Sequence, residues 1–257
     1  VGSEMCIRDR LWPLLETMRD RAIAFVPASG RQCTTLSTMF GSHLQGMPII
    51  AENGTYVVRD GVDISSSTID PNLTREVITG VRQLRNDGHD VGLVVATKSI
   101  AYLERGDDPF VSHVATYYHS HRIVKDLSEH TDDVIKLSIY DFREASEATY
   151  PTMQRTAPEH QVILATPNWV DIMNPGVNKG SAVEAVQRDL GVTADQTAIF
   201  GDFLNDLEMM PMAKWSFAMA NGHPNIVKAS NYVAPPNTEN GVITVLAALL
   251  GTRVPIT

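Results

Sequence analysis

Cysteine is scarce: the sequence of 257 residues holds two, Cys6 and Cys33. Two thiols exclude a disulfide framework, and a reducing, cytoplasmic setting is the expectation. Basic residues are also few, with Lys plus Arg at 21 against 30 Asp plus Glu and a formal net charge of −9. That balance argues against a general nucleic-acid binder, whose affinity rests on neutralising phosphates with Lys and Arg. It leaves room for a small phosphorylated ligand, which a few local donors can hold. Long apolar runs are missing too. The longest, Val245–Leu250, extends to Val242–Leu250 only if Thr244 is allowed, far short of the ~20 residues of a membrane helix. No signal-peptide pattern opens the chain. What remains is an ordinary globular composition, 43% hydrophobic and 20% charged, enough for one large domain or two modest ones.

The first ten residues, VGSEMCIRDR, show no helical or strand period continuous with that of Leu11 onward. They resemble the translation of a transposase-type sequencing adapter, so residues 1–10 are expected to be a non-native segment outside the fold. Cys33 would then be the one native thiol. From Leu11 the pattern is regular. Leu11, Leu14, Leu15 and Met18 mark one face of a helix, and Ala22–Pro27 reads as a buried strand ending in Ser29-Gly30-Arg31. Pro48–Ala51 is a further strand, and Asn53-Gly54 a hairpin-turn signal before a small ribbon. Asp70-Pro71 starts a helix by capping acid and first-turn proline. Strands are expected at Val91–Ala96, Val134–Tyr140, Gln161–Ala165, Val170–Met173 and Thr197–Phe200, and helices after Asp108, over Glu144–Met153, after Asn178, from Gly201-Asp202 through Met210, and over Val242–Leu250. Alternating strands and helices imply an α/β fold on a parallel sheet. The rhythm changes between Pro71 and Pro167, as an insertion would make it.

Three segments at strand ends carry candidate chemistry, where open α/β sheets bind ligands. Ser29-Gly30-Arg31 offers a hydroxyl and backbone N–H groups to a phosphate oxygen, although an isolated Ser-Gly pair is more often a plain helix cap. Asn178-Lys179-Gly180 puts a lysine in the first turn of a helix. The helix end is already positive there, so an anion would reconcile the two; a solvated surface lysine is the bland alternative. Gly201-Asp202-Phe203-Leu204-Asn205-Asp206 gathers three polar side chains at one junction. Asp202 and Asp206 supply oxygens of the kind Mg²⁺ prefers, and a capping box accounts for only one of the three.

In that order the segments resemble motifs II, III and IV of the haloacid dehalogenase superfamily, and more narrowly its Cof-type sugar-phosphatase branch (subclass IIB). Ile49–Gly54 (IIAENG), Phe217–Gly222 (FAMANG) and Asn237–Val242 (NTENGV) match that branch as well. The likeness runs from about Leu11 to the C-terminus. It implies a Rossmann-like core over residues 11–70 and 168–257 and an inserted α/β cap over 71–167. It also implies a Mg²⁺-dependent hydrolysis of small phosphorylated metabolites such as sugar phosphates, through an aspartyl-phosphate intermediate. By the same resemblance Asp202 would bind the metal, and Ser29, Gly30, Lys179 and Asn205 the phosphate. Lys179 and Asp206 would serve catalysis, Asp206 by orienting Lys179 or a metal-bound water. One departure matters. The family's motif I, Asp-x-Asp-Gly-Thr, supplies the nucleophile and the general acid/base, and no Asp-x-Asp lies within Val1–Met18. The expectation is an intact protein that is a phosphatase and a chain, as given, that is truncated and inactive. A non-catalytic phosphate-ligand binding protein and a phosphomutase of the same superfamily are the alternatives. No nucleic-acid or membrane partner is expected.

Overall fold

A computed structural model describes residues 4–252 of the chain. Its first element, α1 (Glu4–Asp20), is one continuous helix. Glu4–Arg10 therefore continues the helical period of Leu11–Met18, contrary to the expectation that no such period joins the two. Glu, Met and Arg are good helix formers, and neither glycine nor proline interrupts the stretch before Pro13. Val1–Ser3 lie outside the described residues. Leu14, Leu15 and Met18 are buried with Ile243, Leu246 and Ala247 of the last helix, α8 (Gly241–Leu249).

The segment after α1 was expected to be a strand over Ala22–Pro27, and it is not one. It runs alongside β1 (Pro48–Ala51) and makes a single parallel bridge, Ala28 to Ile50. Two hydrogen bonds hold it there: Ile50 N–H donates to Pro27 O and Ser29 N–H to Ile50 O, each at 3.0 Å. A ladder strand needs repeated edge pairing, and Pro27 has no N–H to give. The next helix is α2 (Cys33–Phe40). β1 continues as a meander with β2 (Tyr56–Arg59) and β3 (Val62–Ser66), all antiparallel. The β1–β2 turn places Glu52 and Asn53 at φ 51° and 59° and Gly54 at φ 98°. Only glycine takes such a conformation freely, and asparagine is the next most tolerant.

Residues 71–173 build a separate six-stranded sheet. α3 (Pro71–Asn86) begins as expected, with Asp70 Oδ1 accepting from Asn72 N–H at 2.7 Å and proline in the first turn. Its Leu73, Val77, Val81 and Leu84 pack onto one face of β4 (Val91–Thr97) through Val91, Leu93 and Val95. Val94 and Ala96 point the other way, toward Phe110 and Val114 of α4 (Asp108–Ala115). Covered on both faces, β4 reads as a nearly unbroken apolar run. β5 (Ala101–Leu103), β6 (His121–Ile123), β7 (Val134–Asp141), α5 (Thr149–Thr156), β8 (Gln161–Leu164) and β9 (Trp169–Met173) complete this layer. The strand order is β6-β5-β4-β7-β9-β8. Two differences from the sequence reading stand out. The helix expected over Glu144–Met153 starts at Thr149, whose hydroxyl donates to Asp141 Oδ2 at 2.6 Å and fixes the helix entry. The strand expected to return the chain to the core pairs instead with β7 and β8. The chain leaves the six-stranded sheet after Met173, not at residue 168. Asn174 then bonds back to Ser67 Oγ and Thr68 O, so the two connections run side by side.

The last part is parallel. α6 (Lys179–Leu190), β10 (Ala198–Gly201), β11 (Trp215–Met219), α7 (Pro224–Ala229), β12 (Tyr232–Ala234) and α8 alternate, and the strands pair in the order β10-β11-β12. The helix expected through Met210 is replaced by two single 3₁₀ turns, Leu204–Asp206 and Met210–Met212. Asp206 folds back onto the backbone N–H of Asp202, and Pro211 cannot extend an α-helix begun before it. Among the described residues β10 is paired on one side only, to β11. Val26 and Ala28 nevertheless share a core cluster with Ile199 of β10. No helix among the described residues is long and apolar enough to cross a membrane.

Candidate active site

The three polar segments meet. Ser29, Gly30, Lys179, Asp202, Asn205 and Asp206 all line one open cavity of about 800 Å³, between the parallel layer and the six-stranded sheet. Each is delivered by its own piece of local structure. Ser29 and Gly30 come directly after the bridge to β1, and Ser29 Oγ accepts from Arg31 N–H at 3.2 Å. Lys179 is the first residue of α6, whose cap is a reciprocal pair: Asn178 Oδ1 accepts from Ser181 N–H at 2.9 Å, and Ser181 Oγ from Asn178 N–H at 3.1 Å. Gly180 lets that helix end close on the loop, because a Cβ there would strike the carbonyl of Glu208.

Lys179 is not a solvated surface lysine. Its side chain is 6% exposed, and Nζ lies 2.6 Å from Asp206 Oδ1. The second oxygen of Asp206 accepts from Asp202 N–H at 2.9 Å. One buried carboxylate thus ties the helix of Lys179 to the loop of Asp202, and both of its oxygens are engaged. Gly201 leaves the space for it, since a Cβ would come within 2.9 Å of Asp206 Cβ. Asp202 is exposed, and its Oδ2 accepts from Asn237 Nδ2 at 2.7 Å. Asn205 donates through Nδ2 to Asn53 Oδ1 at 3.1 Å.

For Mg²⁺ the donors fit in part. Asp202 presents a hard oxygen at the cavity wall, whereas both oxygens of Asp206 already accept, from Lys179 Nζ and from the Asp202 N–H. Among the described residues no group of three His, Cys, Asp or Glu side chains could hold a metal ion. Mg²⁺ commonly takes one or two carboxylates and completes its shell with water and phosphate oxygens. Asp202 suits the first of those roles.

Sequence reasoning missed a second set of residues at the same cavity: Asn53, Lys136, Ser138, Tyr117, Trp169 and Asp171. Asn53-Gly54 does form the hairpin turn it signalled, but its left-handed φ also turns the Asn53 side chain toward Asn205 and Asp171. Lys136 and Asp171 sit on strands read as plain packing. Burial by itself pulls the Lys136 ammonium down, but the Asp171 and Glu52 carboxylates beside it prevail and hold it well above the ordinary lysine range. Arg31 leans across the mouth, its guanidinium 5.3 Å from the centre of the Tyr117 ring.

The family model for haloacid dehalogenase-like hydrolases matches residues 3–246. The chain belongs to this family. The hydrolase is 28% identical over 254 residues to 5-amino-6-(5-phospho-D-ribitylamino)uracil phosphatase YbjI of Escherichia coli, covering 96% of this chain and 91% of the relative. Its fold matches that of a haloacid dehalogenase-like hydrolase from Bacteroides thetaiotaomicron with a TM-score of 0.82 at 20% identity, over 94% and 92% of the two chains. It also matches the subclass IIB sugar phosphatase BT4131, with a TM-score of 0.75 at 19% identity, over 92% and 89%. The hydrolase shares the family's α/β architecture and, with such relatives, its phosphatase class.

Proposed function

We propose that the intact protein is a cytoplasmic, Mg²⁺-dependent phosphomonoester hydrolase that acts on a small phosphorylated metabolite of the sugar-phosphate kind. The observation that carries this reading is the convergence of Ser29, Lys179, Asn205 and Asp202 on one cavity, with Lys179 buried against Asp206. Ser29 Oγ, the Gly30 N–H, Lys179 Nζ and the Asn205 amide hold the phosphoryl oxygens. Donors fixed in advance stabilise charge there without reorganising during transfer. Asp206 keeps Lys179 in place. The first carboxylate of a family-like Asp-x-Asp attacks phosphorus, and the second gives its proton to the leaving alkoxide and then takes one from the water that cleaves the aspartyl-phosphate, releasing inorganic phosphate. Bound Mg²⁺, held by the first carboxylate and Asp202, would offset the repulsion between two anions. Residues 71–173 act as the cap that shields the reaction and selects the leaving group.

No Asp-x-Asp occurs anywhere in the 257 residues, so the chain by itself keeps the cradle and lacks the nucleophile. β10 and the segment around Val26 face one another across a shared core without a strand between them among the described residues. That is where a strand bearing the nucleophile fits. The test is to join a family-like strand, Asp-x-Asp-Gly-Thr, to Leu11 in place of Val1–Arg10 and assay p-nitrophenyl phosphate with Mg²⁺. The graft gains turnover and its Asp202→Ala variant loses it, while the ungrafted chain stays at background. Mg²⁺-dependent hydrolysis by the ungrafted chain, or full activity in Asp202→Ala, overturns the assignment.

A further inference from the structure

The mechanism leaves one buried cluster unused, at the joint between the six-stranded sheet and the two loops that shape the cradle. Lys136 of β7, with its side chain 3% exposed, ion-pairs with Glu52 at 2.5 Å and donates to Gly30 O at 2.9 Å. Its ammonium lies over the Tyr118 ring, 5.4 Å from the centroid, and 3.8 Å from Asp171 Oδ2. Asp171 of β9 accepts from Ser138 Oγ at 2.6 Å and from Asn53 Nδ2 at 3.0 Å. Asn53 in turn accepts from Asn205.

Each contact fixes something at the cradle. A trans peptide is planar, with its C=O and the next N–H pointing in opposite directions. Holding the Gly30 carbonyl toward Lys136 therefore turns the Arg31 N–H away from it, toward Ser29 Oγ. Asp171 can only accept when ionised, so it orders the Asn53 amide. Nδ2 must face the carboxylate, which leaves Oδ1 for Asn205. Gly30 is packed directly on that amide, since a Cβ there would come within 3.0 Å of Asn53 Oδ1. The left-handed turn at Glu52-Asn53 is unfavourable for side-chain-bearing residues, and burial of both partners over-determines it.

We propose that Lys136 and Glu52 are positioning residues, through which the six-stranded sheet holds the Gly30–Arg31 peptide and the Asn53–Asn205 amides in the geometry that binds phosphate. The inserted layer then completes the cradle from behind, in addition to covering it. This rests on the reading of the cavity as a phosphate site.

The experiment is calorimetric titration of the chain with inorganic phosphate, paired with amide hydrogen exchange at Arg31 and at Val94 in the middle of β4. Lys136→Met alone would strand a buried carboxylate, so the main variant is Lys136→Met/Glu52→Gln, which removes both charges together. Phosphate affinity is expected to fall about tenfold or more, the worth of one well-aimed hydrogen bond to an anion. Exchange at Arg31 should quicken while Val94 keeps the protection of the parent. Affinity within twofold of the parent overturns the positioning role, and Lys179→Met, if it abolishes binding, shows that the phosphate site itself stands. Lost protection at Val94 as well as Arg31 also overturns it, because the pair then only stabilises the fold. A parent chain that binds no phosphate overturns the site and the positioning role together.

Discussion

Replacing Asp206 by alanine tests the centre of the site. Asp206 is buried, and its two oxygens meet Lys179 Nζ at 2.6 Å and Asp202 N–H at 2.9 Å. Removing one partner of a buried ion pair costs about 3–5 kcal/mol, because the other charge is left without compensation. The orphaned N–H of Asp202 adds about 1 kcal/mol. The expected loss is about 4–6 kcal/mol, a large part of a typical stability of about 5–15 kcal/mol. It should lower the melting temperature by roughly 8–24 °C, taking about 2–4 °C per kcal/mol for a chain of this size. Lys179→Met should cost less, about 3 kcal/mol, since Asp206 keeps its backbone donor. Lys179→Met/Asp206→Asn should cost less than Asp206→Ala, having no buried charge and a preserved acceptor. Differential scanning calorimetry measures all three. Inorganic phosphate adds a second axis: at a hundredfold over its Kd it stabilises by about 2.7 kcal/mol. Phosphate should raise the melting temperature of Asp206→Ala more than that of the parent, because it neutralises a stranded lysine. It should do little for Lys179→Met. A loss under about 1 kcal/mol in Asp206→Ala, or an equal phosphate effect with and without Lys179, would refute this account of the pair.

Gly54→Ala should destabilise the protein by at least about 2–3 kcal/mol, since φ is 98° there and the new Cβ would strike the Asn178 carbonyl; urea unfolding by circular dichroism checks it, and a neutral result would contradict the close approach. Burial raises the phenol pKa of Tyr56, to about 12, and also those of Tyr118 and Tyr140. Absorbance at 295 nm should therefore lag behind that of the unfolded chain above about pH 10 in the native protein. The sign is set by linkage. The unfolded state releases these protons first, near pH 10, so their contribution to stability is whole below that pH and declines above it. Full ionisation of all seven tyrosines by pH 10.5 without loss of native circular dichroism would contradict their burial. Phe110→Ala, at a fully buried ring against Gly92, should cost about 3–5 kcal/mol, with phosphate affinity within twofold of the parent in the same titration.

The cradle was legible in the sequence because its groups lie within a few residues of one another in loops. Lys179 in a first helical turn, and Asp202 with Asn205 and Asp206 at one junction, each depart from a local expectation, whereas Ser29 with Gly30 reads alone as a plain cap and gains meaning only from its order with the other two. The parallel layer was legible for a similar reason, since alternation of strand and helix is a short-range signal. The positioning cluster was not. Lys136 and Ser138 alternate with Leu137 and Ile139 along β7, which in isolation describes a strand with one wet face. All eight residues of β7 are in fact buried, because Lys136 meets Glu52 and the Gly30 carbonyl, far away in sequence, and Ser138 lies against Tyr118 and Asp171. A polar residue on a strand reads as exposed until the element that covers it is known, and that element is set by long-range topology. The same limit misplaced β9: its apolar run suits a strand of either layer, and only its pairing with β7 and β8 assigns it. Ala22–Pro27 failed the opposite way. Its composition is that of a buried strand, but a strand is completed by its neighbours, and here a single bridge to β1 stands in place of a ladder. On the proposed function, a strand added between the Val26 segment and β10, which among the described residues is paired on one side only, should alter folding and chemistry together.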